Sequence, residues 1–475
     1  MNQNVDFKTN LKDLPVEIIL SVLSDLTIDD LNGVCRQNKR LRDICKTYKM
    51  TFIKKFLKKY QVDYTDPHNF IYFDFKTQKF IPKTNDLTKV FRLYLVHYNK
   101  TNMEIRGTEI TSIPIFPKLK ILKYRESKLT NIPSMPLLED LDCKHSHQLT
   151  KIKPMPLLKR IQCEHSNITE IESMPRLEEL YCQNNQLSNI PSMPLLKRLF
   201  CEHNKLIRIE SMPRLYVLSC ESNQITEIPT MPLLEKLNCL GNQITEIPTM
   251  PLLQELGCSA NRLTEIPSMP LLKILDCAYN QLIKIESMPC LQELSCYSNQ
   301  ITEIEPMPLL KKLECHNNRL TEIESMPLLK KLECHNNRLT EIESMPNLKK
   351  LRCHNNQLTE IPVMPRLEEL YCQGNQLSNI PSMPLLNSLL CGENKLTEIE
   401  LMPEIIILNC SDNQLTKIEV MPKLRYLTCY VNRLTTIPIM QELRQIRCDP
   451  IVEVPPMPKL EYTYYGQDDT SSDSS

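Results

Sequence analysis

Apolar and polar positions recur along most of this chain at one fixed offset. The stretch "LKKLECHNNRL", Leu310–Leu320, has the frame L-x-x-L-x-C-x-x-N-x-L and returns unchanged at Leu329–Leu339. Inside the frame Leu313 and Cys315 alternate with Glu314 and His316. An alternation of period two predicts a strand with one buried and one open face. The cysteines mark the frame along the chain. They run Cys143, Cys163, Cys182, Cys201 and onward to Cys448, and after a first step of 20 every step is 19. Of the 20 cysteines, 17 lie on this lattice, and Tyr124 and Ile105 hold the same phase upstream. A single turn cannot bury its apolar face alone. Stacked turns bury a continuous core, so the pattern predicts a solenoid with one parallel strand per 19-residue turn.

Each residue type has an expected place in that coil. The leucines and the lattice cysteines fill the interior, because a small thiol packs as a modest hydrophobe. The asparagine recurs from Asn185 to Asn432, and Ser146 and Ser166 stand there in two earlier turns. A buried amide there can satisfy backbone donors and acceptors that the bend would strand. Met-Pro pairs such as Met326-Pro327 precede each strand and keep the return segment extended. Nineteen residues leave no room for a long outer helix. The convex side is therefore expected to be extended or 3₁₀ chain.

The frame resembles the leucine-rich repeat, with cysteine in place of one leucine. It is close to the short repeats of bacterial effectors, as "LNCSDNQL" at Leu408–Leu415 illustrates, and similar to repeat proteins of large DNA viruses. Some of those effectors carry a catalytic-cysteine ubiquitin-ligase domain after the repeats. Here about 27 residues follow Cys448, ending in the polar "GQDDTSSDSS", so a disordered tail is expected instead.

The beginning of the chain has a different pattern. In "LPVEIILSVLSDLTIDDLNGVCRQNKRLRDIC", Leu14–Cys45, the residues Ile18, Ile19, Val22, Leu23 and Leu26 fall along one helical face. Asp13 with Pro15 and Thr27 with Asp30 are helix-start signals. Leu31, Val34 and Cys35 follow, and then a basic stretch carrying Leu41 and Ile44. Three short amphipathic helices make a small core that gains stability by docking. This stretch resembles an F-box. Leu14, Pro15, Glu17, Ile18, Leu23, Leu26, Leu31, Val34, Cys35 and Arg36 match, while Asn38-Lys39 stands where that family often has tryptophan. The resemblance implies docking to a Skp-type adaptor and, through it, to a cullin–RING ubiquitin ligase. The docking residues would be Leu14, Pro15, Glu17, Ile18, Ile19, Val22, Leu23, Leu26, Leu31, Val34 and Leu41. The alternative is a helical cap for the solenoid.

The expected architecture is an α+β repeat protein. It comprises an F-box at 8–51, an aromatic-rich linker and cap at 52–98, about 19 repeats at 99–465, and a tail at 466–475. The linker holds 7 of the 10 phenylalanines, and "FIKKFLKKY" reads as a basic amphipathic helix. It suits the cover that a solenoid's first turn needs.

Composition narrows the function. Lys plus Arg and Asp plus Glu both number 57, and a net charge of zero argues against a general nucleic-acid binder. The polar start and the lack of a long apolar run predict no secretory signal and no membrane partner, hence cytoplasm or nucleus, or host-cell cytoplasm for a viral chain. In such a compartment the cysteines are expected as thiols. No cofactor or metal is expected either. The cysteines lack C-x-x-C clustering, and there is no Gly-rich phosphate loop or nucleophile elbow.

His316, His335 and His354 share one strand-face position on consecutive turns. Such a column could sense pH or capture metal. Equally, it could be a by-product of copying, because Glu314–Pro327 and Glu333–Pro346 are identical. His165 and His203 sit one place further along their turns. The strand face also carries Lys312, Glu314, Lys331, Glu333, Lys350 and Arg352, flanked by Lys311, Lys330 and Lys349, which reads as a basic patch relieved by Glu314 and Glu333 and able to take an acidic partner segment. Tyr181, Phe200 and Tyr371 are candidate aromatic anchors for a protein target. With the F-box resemblance, the expected role is a non-catalytic substrate receptor, monomeric outside its ligase complex. The alternative is a repeat scaffold that holds or sequesters a protein.

Overall fold

The computed structural model describes residues 39–62, 73–74, 79–80, 94, 97–106 and 110–466. The F-box-like positions Leu14 to Arg36 lie outside the described residues. The chain divides into two compact units, one running to Leu196 with His203–Lys205, the other formed by Lys197–Glu202 and everything from Leu206 onward.

In the first unit, helix α1 (Lys39–Thr47) buries Leu41 and Ile44, and helix α2 (Lys49–Lys59) buries Phe52, Ile53, Phe56 and Leu57. α2 runs through the expected boundary at 51/52. Its end joins an aromatic cluster. Phe56 and Tyr60 stand 4.6 Å apart, and Tyr94 is 5.8 Å from both Phe56 and Phe116. The Tyr60 carbonyl also accepts a 2.9 Å hydrogen bond from the Ile115 N–H, which ties the helix end to the first return segment. Cys45 in α1 is disulfide-bonded, against the expectation of a thiol. Among the described residues a short antiparallel pair, Phe73–Asp74 with Lys79–Phe80, comes next, and then the solenoid face strands Asn102–Arg106, Ile121–Arg125, Asp140–Asp142, Arg160–Gln162 and Glu179–Tyr181, all parallel.

The second unit repeats the arrangement from Arg198–Phe200 to Tyr462–Tyr465. Each strand is parallel to the next and in register by lattice position, as in Leu313↔Leu332↔Leu351. The last strand pairs Cys448 with Tyr465. That turn is 17 residues long, which hides it from a 19-residue lattice ending at Cys448. Among the described residues no helix is long and apolar enough to cross a membrane.

One turn shows why the sequence folds this way. Lys312–Glu314 buries Leu313 and leaves its two neighbours half-open, as the period of two requires. The interior takes six side chains per turn: Leu310, Leu313, Cys315, Leu320, Ile323 and Met326. The leucine and cysteine ladders agree with the pattern reading. The isoleucine and methionine ladders are additions to it. Pro327 does more than keep the chain extended. It occupies the second position of a tight turn in which the Leu329 N–H donates to the Met326 carbonyl at 3.0 Å, and its fixed φ suits that place. Among the described residues the return side is extended chain without 3₁₀ helix, and Lys284–Ile285 and Glu303–Ile304 pair there as two-residue strands.

The strand ends in a left-handed corner two residues after each lattice cysteine from Cys143 to Cys429. Asn317, Asn336 and Asn355 have φ near +55°, and the same place holds His165, His203, Tyr279 and Val431. His165 and His203 thus stand at the corner rather than on the strand. Asn and His tolerate this conformation better than most side chains, whereas a β-branched residue is strained there. Next comes the recurring asparagine. The Asn337 side-chain NH₂ donates to the carbonyls of Cys315, Cys334 and His335 at 3.0, 3.0 and 3.3 Å, while its oxygen accepts from the Leu320 N–H at 3.0 Å.

The lattice thiols are all free and buried. Burial pushes the Cys239 thiol up to about 12, and those of Cys315 and Cys353 higher still, so they are neutral packing groups rather than nucleophiles or ligands.

Two outcomes follow from the corner. Asn337→Ala strands one N–H and weakens three carbonyls, costing about 3 kcal/mol locally. Hydrogen exchange at the Leu320 amide should accelerate accordingly, and unchanged protection would contradict the bonding described. Val431→Gly relieves a strained corner and should raise stability by about 1 kcal/mol, read as a higher urea midpoint.

Candidate functional site

The strand face between Tyr297 and Tyr371 carries most of the chemistry predicted from sequence. Parallel register sets like residues side by side, Lys312↔Lys331↔Lys350 in one column and Glu314↔Glu333↔Arg352↔Tyr371 in the next. The columns neutralise one another diagonally. Lys312 pairs with Glu314 at 3.0 Å, Lys331 bridges Glu314 and Glu333 at 2.7 and 2.9 Å, and Arg352 reaches Glu333 at 3.3 Å. Lys350 pairs with Glu369 at 2.7 Å. Lys350 and Arg352 both lie over the Tyr371 ring, at 5.7 and 5.1 Å, and the Tyr371 hydroxyl donates to Glu369. The basic patch that Glu314 and Glu333 were expected to relieve is an ion-paired strip. Among its rim lysines, Lys311 bonds Gln292 and Lys349 bonds Glu368, both at 2.8 Å.

Glu333 is buried at 7% exposure, and the side chains around it are half-buried. For Glu314, burial pulls the carboxyl pKa up, but hydrogen bonds from Lys331 and Lys312 outweigh it and hold it low. Lys350 likewise holds the Glu369 carboxyl low.

Beside this strip runs a stack of flat rings. Tyr297, His316, His335 and His354 stand 4.4, 4.3 and 4.2 Å apart, nearly parallel. Tyr297 was missed in the sequence, although it follows Cys296 as His316 follows Cys315 and so shares the column. The three Nδ1 atoms are buried and have no hydrogen-bond partner. Burial lowers the imidazole pKa values. For His335, with His354 and His316 on either side, the result is about 4. His316 and His354 are lowered in the same direction by burial.

The other predicted residues stand apart from this strip. In the first unit Tyr181 is half-buried, with Arg160 over its ring at 5.4 Å and its hydroxyl directed to Glu179. In the second unit Phe200 is also half-buried, on the strand Arg198–Phe200. Of the proposed docking residues only Leu41 is described, and at 6% exposure it is already covered within the chain.

Residues 289–328, 327–366 and 346–385 match the family model for Leucine Rich repeats (2 copies). The solved structure of YopM from Yersinia enterocolitica WA-314 is similar at a TM-score of 0.66 and 26% identity, covering 81% of this chain and 96% of that one. YopM from Yersinia pestis, described as a leucine-rich effector protein, aligns at a TM-score of 0.50 and 24% identity, covering 64% of this chain and 87% of that one. No curated protein matches the chain. The fold is thus a long leucine-rich-repeat solenoid. None of these matches is to an F-box.

The histidine column gives a pH dependence with a definite sign. The unfolded chain takes up protons near the ordinary histidine pKa of 6.5, while folded His335 resists until about 4. Stability is therefore full above about pH 6.5 and is lost as the pH falls toward 4. The urea midpoint of the intact chain should drop across that window more steeply than that of His335→Gln. Equal slopes would show that the column does not titrate as described.

Proposed function

We propose that the chain is a non-catalytic protein receptor whose strand face between Tyr297 and Tyr371 holds a target, and whose F-box-like start couples that target to a ubiquitin ligase. The observation that carries the target-binding half is the ion-paired strip. Lys312, Glu314, Lys331, Glu333 and Arg352 are already fixed to one another, with Lys350 and Tyr371 beside them. Side chains ordered before binding lose little entropy on contact, which favours protein recognition by a rigid sheet. The likeness to YopM, a leucine-rich effector protein, supports the long repeat fold that presents such a surface. The ligase half rests on the resemblance at Leu14–Arg36. In this reading the start of the chain docks to a Skp-type adaptor of a cullin–RING ligase, in the cytoplasm or nucleus, and ubiquitin transfer occurs on other subunits. Holding a target near the charged conjugating enzyme raises its effective concentration there.

A repeat scaffold without ligase contact is the second reading. Buried Leu41 favours it, because that docking position is closed within the chain. Co-purification separates the two. The receptor reading expects a Skp-type adaptor to be captured by the intact chain and lost with Leu14→Ala, Pro15→Ala. Absence of capture by the intact chain would leave the scaffold.

A further inference from the structure

Spacing placed His316, His335 and His354 in one column able to capture metal, and the stacked turns add a carboxylate, Glu333, that the column reading did not include. One ring nitrogen from His316, one from His335 and one carboxylate oxygen of Glu333 all lie within 4.8 Å of one another. We propose that these three residues bind a divalent transition-metal ion of the zinc type, with the remaining coordination open to water or to a bound partner.

Three observations support the assignment. The donor set, two imidazoles and a carboxylate, is one that zinc and its first-row neighbours accept, and it leaves positions free. Nδ1 of His316 and of His335 is buried without a hydrogen-bond partner, so each ring has a nitrogen that nothing in the fold satisfies. Glu333 brings its carboxylate to the same place from a buried position. Burial of that kind strengthens attraction to a cation.

Two features oppose an ion and set what must move. The His316 and His335 rings are 4.3 Å apart and 9° from parallel, so their lone pairs do not converge, and one ring must swing out of the stack. Glu333 is held by Lys331 and Arg352 at 2.9 and 3.3 Å. Lys331 also reaches Glu314 at 2.7 Å and can keep that partner when it releases Glu333. The strip thus provides an alternative pairing for the charge the ion displaces. His145 and His165, stacked at 5.1 Å in the first unit, provide an internal comparison. Among the described residues the only group brought within such reach is His316, Glu333 and His335.

The test uses tag-free intact chain stripped with a chelator and titrated with Zn²⁺, then with Co²⁺ for its ligand-field spectrum. One Zn²⁺ per chain should bind, with Co²⁺ bands typical of nitrogen and oxygen ligands. His335→Gln and Glu333→Gln should each weaken binding by about tenfold or more, a loss at least as large as that seen for residues one step removed from a metal. His145→Gln should leave it unchanged. Circular dichroism of each variant separates loss of ligand from loss of fold. A thiolate-to-cobalt charge-transfer band would overturn the assignment, placing the ion on cysteine. So would Zn²⁺ affinity unaffected by the His335→Gln and Glu333→Gln changes in folded protein, or no binding at all. The proposal stands independently of the ligase reading.

Discussion

The asparagine at each corner is the constraint on which the rest of the solenoid depends. A chain that must leave the strand face within a few residues strands backbone groups that no ladder can pair. Asn337 settles four of them at once, three carbonyls through its NH₂ and the Leu320 N–H through its oxygen. Aspartate has no donor and a hydroxyl has only one. The three early turns with serine, at Ser127, Ser146 and Ser166, show the difference. Ser166 accepts from the Ser146 N–H at 3.0 Å, but its donor contacts to Cys143 and Glu164 stretch to 3.4 and 3.5 Å. It is there that the lattice takes its 20-residue step, absorbed between Ser146 and Leu149 by a turn bonded at 3.0 Å. A looser corner accommodates an extra residue that an asparagine corner would resist.

Once each corner is fixed, register follows, and register turns sequence into columns. Identical side chains then face one another across neighbouring strands, which for Lys312, Lys331 and Lys350 means like charges in line. Such pairs oppose each other unless a second column offsets them. Glu314 and Glu333 do so diagonally, and Arg352 and Tyr371 end the alternation. The charge pattern of this face is thus a requirement of stacking before it is a feature of recognition. What remains for a partner is the fixed geometry of the strip, with Lys311 at its rim bonded only to the neutral Gln292.

Much of this was legible in the sequence. The lattice, the alternation of Leu313 and Cys315 with Glu314 and His316, and the bonding task of the asparagine all come from fixed spacing and from residue chemistry. The isoleucine and methionine ladders had the same 19-residue signal but lie outside the strand, where period two gives no guidance. The left-handed corner was hidden because glycine fills it at only Gly241 and Gly374 among turns that elsewhere use Asn, His, Ser or even Val431. Ion pairing on the strip depends on side-chain torsions that a list of charges does not contain. The sequence already set Glu314 and Glu333 among the lysines to relieve the patch, and the rotamers show which lysine each one meets.

Duplication gives these columns their chemical character. A copied turn lands in register beside its original, so any residue with donor chemistry acquires a twin about one strand spacing away. The identical stretches Glu314–Pro327 and Glu333–Pro346 did this for a histidine and a glutamate together. Copying therefore accounts for how the His316–His335 stack arose, but it does not make the stack inert. Adjacent imidazoles with unsatisfied nitrogens beside a buried carboxylate form a donor set whatever their history. In a solenoid, origin by copying and capacity for binding are the same event seen at two levels. The divergence at Arg352 and Tyr371 marks where the face ceases to be a repeat and becomes a particular surface.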